Sequence, residues 1–202
     1  MAIQAVIWDI GGVLVRTEDY APRQRLAERL GLSREALESL VFGGEMGQKA
    51  QLGVISAQEL LTFVCREVGY PVDEAARFEQ EFFAGDQVDE ELVNYIRFLK
   101  GHYRTGIISN AWDDVRPMIE GGWDIADAFD QIVLSAEAKL GKPDARIYHL
   151  ALEKLQVSPE EAVFIDDFAR NIEGAQTVGI YAIQFRTSQQ VRTELDDFLK
   201  KN

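Results

Sequence analysis

Four short segments of this chain carry residue types that can handle an anion together with a cation. Asp9 directly follows the apolar run Ala5–Trp8 and is followed by Gly11 and Gly12. A carboxylate at the end of a strand can act as a nucleophile on phosphorus. The two glycines permit a tight turn whose N–H groups can face an anion. Ser109 and Asn110 close a second apolar run, TGIIS, and their side chains could donate to phosphate oxygens. Lys142 sits in a Gly-Lys-Pro turn ahead of a helix capped by Asp144. Pro143 restricts the backbone there, and an ammonium held in one place can neutralise a phosphoryl group and its transition state. Lys139, in a less constrained setting, competes for that role. Asp166 and Asp167 end the run AVFIDD, with Asn171 four residues beyond Asp167. Two adjacent carboxylates repel each other unless something positive lies between them. Magnesium, which takes one or two carboxylates plus waters and substrate phosphate, is the simple answer. Each segment alone has an ordinary reading as a turn cap, a helix N-cap, a solvated lysine or a structural Asp. The four together, in this order, argue for one shared site.

The elements that would position these groups can be read from hydrophobic pattern. The runs Ala5–Trp8, Thr105–Ser109, Gln131–Leu134, Ala162–Ile165 and Ile180–Gln184 are rich in Val, Ile and Phe. Mostly uniform apolar runs of this length fit strands buried on both faces of a parallel sheet, and helical patterns between them fit the crossovers. The fold class expected is α/β, a Rossmann-like core with a parallel five-stranded sheet and helices on both faces. From about Glu18 to Gly85 the pattern is helical throughout. Ser33 reads as an N-cap, and Ser56 with Glu59 as a capping box opening a helix to about Val68. This stretch is expected to be an inserted all-helical cap, residues 18–85, between core segments 1–17 and 86–202. Its hinges are expected near Val15–Asp19 and Ala84–Val88, and a helix over Glu90–Lys100 returns to the sheet. A further helix is expected to begin near Trp112. In an open α/β sheet ligands bind at the carboxyl ends of the strands, where all four segments fall.

Bulk composition excludes several classes. The formal net charge is −13, with 47% hydrophobic and 27% charged residues. Such a surface repels nucleic acid and anionic membranes, so neither is expected as a partner. A phosphate ester would also be repelled at long range, so a local positive group is required. No apolar run approaches the length of a membrane span, and no secretory signal precedes Asp9. The single cysteine, Cys65, excludes an internal disulfide and fits a reducing, cytoplasmic location.

The order Asp, Ser-Asn, Gly-Lys-Pro, Asp-Asp resembles the haloacid dehalogenase superfamily over Ala5 to about Phe185. The insert after the first motif resembles the small helical cap of a subclass rich in sugar-phosphate phosphatases. The resemblance implies that Asp9 attacks phosphorus to form an aspartyl phosphate. It implies that Ser109 and Asn110 hold phosphoryl oxygens and that Lys142 orients Asp9. It implies magnesium bound by Asp9, the Gly11 carbonyl and the pair Asp166/Asp167, with Asp167 the direct ligand and Asn171 supporting the loop. The substrate implied is a small phosphorylated metabolite, reached under a mobile cap. One position departs from the pattern: the acid–base aspartate two residues after the nucleophile is replaced by Gly11. General acid–base help is worth about 10²–10⁴-fold in rate. Its loss is met by a good leaving group such as the anomeric hydroxyl of a sugar 1-phosphate, by a water or a stand-in such as Glu45 or Gln48, or by slow or absent turnover. The spelling Asp-Ile-Gly-Gly-Val is similar to a branch of small bacterial phosphatases that share this glycine.

Other residues read as packing or surface. His149 lies within an apolar helical pattern and His102 in a turn. Trp112, Trp123 and Cys65 read as packed side chains. Two further functions stay open: metal-independent dehalogenation of 2-halo acids through Asp9, and a catalytically weak phosphate-binding or regulatory protein.

Overall fold

The computed structural model describes residues 2–201. The chain alternates as β1 (Ala5–Trp8), β2 (Val15–Thr17), α1 (Ala21–Arg29), α2 (Arg34–Phe42), α3 (Gly44–Gln51), α4 (Ala57–Val68) and α5 (Ala75–Phe83). It continues as β3 (Asp86–Val88), α6 (Glu90–Lys100), β4 (Arg104–Ser109), the single turn α7 (Val115–Pro117), β5 (Gln131–Leu134) and α8 (Ser135–Ala138). The last elements are α9 (Ala145–Leu155), β6 (Ala162–Asp166), α10 (Ala169–Thr177), β7 (Tyr181–Gln184) and α11 (Ser188–Lys201).

The main sheet has the order β5-β4-β1-β6-β7, with every pairing parallel. The fold is α/β, with the five-stranded parallel sheet anticipated from the apolar runs. β1 is central, and each of its four residues is buried. Val6 and Trp8 face one hydrophobic layer, in which Leu92 and Ile96 of α6 pack with Val191 and Leu195 of α11. Ala5 and Ile7 face the other, with Ile147 and Tyr148 of α9 and Ile172 and Ala175 of α10. This two-sided burial is why the strands carry almost no polar alternation. β7 departs from that pattern: Tyr181 and Gln184 are exposed, because it is an edge strand paired on one side only.

Strand order reverses at β1, with β4 on one side and β6 on the other. The crevice at such a switch point, beyond the carboxyl ends of the strands, is where α/β sheets hold ligands. Asp9, Ser109 and the Asp166–Asp167 pair all lie at these ends.

Between β2 and β3 the elements are helical: α1 to α5 and a 3-10 turn at Val72–Glu74. They enclose a core of their own, including Leu26, Leu37, Val41, Leu60, Phe78 and Phe82. Cys65 is buried in it as a free thiol. Ser33 accepts from the Ala36 amide, and Ser56 with Glu59 forms the reciprocal capping box. The two connections to the core pair as an antiparallel ribbon, Val15 opposite Val88 and Thr17 opposite Asp86. Sequence pattern marks these stretches as hinges and misses their pairing, since three residues are too few to show alternation. The helix expected near Trp112 is reduced to the turn α7, with a π turn over Met118–Gly122. Pro117 lacks an amide donor, and Gly121 and Gly122 favour no helix.

Arg23 ties the helical insert to this ribbon. Its side chain is buried, with Nη2 at 2.9 Å from Asp86 and Nη1 at 2.9 Å from Glu38. Nε donates to the Phe82 carbonyl at 3.1 Å, and the guanidinium lies 4.2 Å from the centre of the Phe82 ring. Thr17 donates to the same Asp86 carboxylate. Removing a buried cation leaves its carboxylates desolvated and unpaired. Arg23→Ala is therefore expected to destabilise the chain by about 2–3 kcal/mol, since Asp86 and Glu38 keep some solvent contact. Urea unfolding of the variant beside the parent checks this, and an unchanged midpoint would refute it.

Candidate active site

Asp9 leaves β1 almost fully buried, 5% exposed. Its Oδ1 accepts from the Ile10 amide and from the Ser109 hydroxyl, each at 2.7 Å. Its Oδ2 lies 2.8 Å from the Lys142 ammonium. The same ammonium donates to Asp166 Oδ2 at 2.6 Å and lies 5.4 Å from the centre of the Phe164 ring. Burial pushes the Asp9 carboxyl far above the usual carboxylate range; Lys142 opposes the rise and the Asp166 charge adds to it.

Asp166 is fully buried, and several donors serve its oxygens. Besides Lys142, it accepts from the Phe168 amide at 2.8 Å and from the Asn171 side chain at 3.0 and 3.1 Å. Asp167 is different. Its Oδ1 is buried without a hydrogen-bond partner. Burial, followed by the neighbouring Asp166 charge, pushes its carboxyl up to about 6. Oxygens of Asp9, Asp166 and Asp167 all lie within 4.8 Å of one another. Three ionised carboxylates facing one ammonium leave two negative charges uncompensated and one orphaned oxygen. Burying such a charge is costly unless it is paired or coordinated. A hard divalent cation with oxygen ligands fits this donor set, and magnesium is among those it suits.

Glycine is required at one position of the turn after β1. Gly12 has φ +77°, and a Cβ there would fall 2.3 Å from Asp167 Oδ2. Only a glycine lets the Asp167 carboxylate approach the backbone this closely. Gly11 is the opposite case: a Cβ built there meets no atom within 4 Å.

The Asn110 side chain sits differently from the expectation that it faces an anion, and Lys142 rather than Lys139 holds the place beside the carboxylates. The Asn110 amide donates to the Lys142 carbonyl at 3.0 Å, and its oxygen accepts from the Lys142 amide at 2.7 Å. The side chain therefore clamps the lysine turn instead of pointing free toward an anion. Lys139, in the left-handed region at φ +57°, donates to the Gly53 carbonyl of the insert and is removed from the carboxylate cluster. Glu45 is exposed and paired with Lys49 at 2.6 Å, and Gln48 is exposed. His102 and His149 are exposed. Trp112 is buried in the insert's core and Trp123 half-buried against the sheet's.

Three positioning residues escape the sequence reading. Tyr148 donates to the Asn171 carbonyl at 2.8 Å and so steadies the helix behind Asp166. Gly174 lets α10 approach the lysine turn, since a Cβ there would meet Pro143 Cβ at 2.8 Å. Ser135 accepts from the Ala111 amide and donates to the Gln51 carbonyl, joining the Asn110 loop to the insert. Gly174 alone leaves a trace in sequence, as a glycine inside a helical pattern.

Among known proteins the chain is similar to several hydrolases. It is 27% identical to the bifunctional epoxide hydrolase 2 of Sus scrofa over 97% of its own length, but spans only 39% of that protein. It is 26% identical to the sesquiterpene phosphatase astK of Aspergillus oryzae, covering 95% of this chain and 94% of that one. A HAD family enzyme from Bacteroides thetaiotaomicron, solved in complex with magnesium and inorganic phosphate, superposes with a TM-score of 0.77 at 21% identity. That likeness covers 92% of this chain and 95% of the other. The model of the haloacid dehalogenase-like hydrolases matches residues 3–179. With the match running through β1, the insert and the β6 carboxylates, this chain belongs to the haloacid dehalogenase-like hydrolase family.

Proposed function

We propose that this hydrolase is a magnesium-dependent phosphomonoesterase acting through Asp9 on a small phosphorylated metabolite. The observation that carries the reading is the Lys142 ammonium held between Asp9 and Asp166, beside the partnerless oxygen of Asp167. Asp9 attacks phosphorus as the ester P–O bond breaks and the substrate's alkoxide or phenoxide leaves, giving an aspartyl phosphate, and water then attacks that phosphorus to release inorganic phosphate and restore the Asp9 carboxylate. Ser109 and Lys142 hold Asp9 in orientation, and Lys142 offsets charge that grows on the transferring group. Ser109 and the backbone at Asn110 hold phosphoryl oxygens. Asp9, the Gly11 carbonyl and Asp167 would hold the magnesium ion, which neutralises phosphate charge when bound. Asp166 lies next to them and positions Lys142. Residues 18–85 serve as the cap over the site. The Aspergillus oryzae relative is a sesquiterpene phosphatase, which agrees with this reading.

Gly11 implies substrates whose leaving group departs without a proton donor, sugar 1-phosphates and aryl phosphates among them. The metal-free dehalogenase reading explains Asp9 and Lys142 but leaves the Asp167 charge without a counterpart.

Three outcomes are expected. With magnesium the protein hydrolyses p-nitrophenyl phosphate, chelation abolishes turnover, and Asp9→Asn lowers kcat below detection. Steady activity in chelator, with chloride released from a 2-halo acid, would replace this reading by the dehalogenase. Asp167→Asn is expected to raise the magnesium concentration needed for half-maximal rate by about tenfold or more, as removal of a direct ligand should. Titration of activity with magnesium measures it. Gly11→Asp, for which the turn has room, is expected to speed hydrolysis of alkyl phosphates by about tenfold or more while barely changing p-nitrophenyl phosphate. Equal effects on both would show that leaving-group protonation is not what this position lacks.

A further inference from the structure

The segments that carry the site residues, and the insert side chains packed on them, include apolar groups that the reaction itself does not use. The chain leaving β4 passes from Asn110 to Trp112, whose indole enters the insert's aromatic cluster. It stacks on Phe42 at 6.0 Å and meets Phe83 edge-on at 5.9 Å. Phe42, at the end of α2, remains 40% exposed despite these contacts. Leu52, just after α3, lies against the lysine turn: a Cβ on Gly141 would sit 3.6 Å from its Cδ2 and 3.3 Å from Asn110 Oδ1. It too is 36% exposed. On the opposite side Phe168, directly after Asp167, is 55% exposed, with the Arg170 guanidinium 5.7 Å from its ring centre.

Several polar groups on the same segments are engaged elsewhere. Gln51 donates to the Phe42 carbonyl, Lys49 pairs with Glu45, and Lys139 donates to the Gly53 carbonyl. Arg23 is buried against Glu38 and Asp86. A site that selects a hydroxyl-rich substrate needs free donors and acceptors aimed at it. These segments offer ring faces and a leucine side chain instead, which favour apolar contact.

Resting on the phosphatase reading, we infer that Phe42, Leu52 and Phe168 form an apolar subsite for the group esterified to phosphate. The substrates preferred are then alkyl or aryl monophosphates with an apolar body, in place of polyol phosphates. Apolar surface left exposed in the free protein is covered when such a group docks, so selectivity resides in KM more than in kcat.

The test is a series of phenyl, 4-ethylphenyl and 4-butylphenyl phosphates, with glucose 1-phosphate alongside, in the presence of magnesium. The phenols are of nearly equal acidity, so the chemical step stays constant while the apolar body grows. Each methylene is expected to raise kcat/KM by about twofold to fourfold, mostly through KM, and Phe168→Ala and Leu52→Ser are expected to flatten the series. A series that is flat or falling in the parent, or a preference for glucose 1-phosphate over phenyl phosphate, would overturn the subsite while leaving the phosphatase reading intact. Loss of all hydrolysis, phenyl phosphate included, would remove the phosphatase reading and this inference with it.

Discussion

The structure turns on one buried ammonium. Lys142 is almost sealed from solvent, and its charge lies between the carboxylates of Asp9 and Asp166. Burial pushes the Asp9 carboxyl up, and this ammonium is the charge that opposes the rise. The three groups come from three separate strand ends or turns, so the pairing also holds β1, β6 and the turn before α9 in register at the ligand edge of the sheet. The third carboxylate, Asp167, keeps one oxygen without a hydrogen-bond partner, and three carboxylates face a single ammonium.

Most of the surrounding construction keeps that cluster in place. Asn110 grips the lysine turn from both sides of its peptide, and Asn171 with the Phe168 amide fills the remaining oxygens of Asp166. Gly12 and Gly174 give up side chains so that backbone can pass close to Asp167 and Pro143. Such local concessions recur where geometry must be exact to fractions of an ångström. They are invisible to propensity, since each conflicts mildly with the element or turn it sits in.

The helical insert is anchored to the core in two ways of different character. At the ribbon, Arg23 makes a buried, multiply bonded junction with Asp86, Glu38 and the Phe82 carbonyl. Near the site, single hydrogen bonds cross instead: Ser135 to the Gln51 carbonyl, Lys139 to the Gly53 carbonyl, and the Ala57 amide to Asp113. Among the described residues no helix is long and apolar enough to cross a membrane, and Leu52 of the insert lies against Gly141 of the lysine turn.

The sheet was legible in the sequence because a strand buried on both faces must be apolar throughout, and AVIW and AVFI leave no other reading. The ligand edge followed, since Asp9, Ser109 and Asp166–Asp167 directly succeed those runs. Helix starts at Ser33 and Ser56 were legible too, because capping is a local bond. The β2–β3 ribbon was not, for three-residue strands carry no period. Neither was the role of the Asn110 side chain or of Lys139. Sequence assigns a residue its chemistry, but which of several polar partners it faces depends on chain segments tens of residues away. Asn110 and Lys142, 32 positions apart, meet only after the sheet has formed. Residue type and strand patterning thus settled which groups could share a site. Long-range packing alone decided that Asp166 would be satisfied and Asp167 left open, because hydrogen-bond saturation is a property of the folded surroundings and not of the residue.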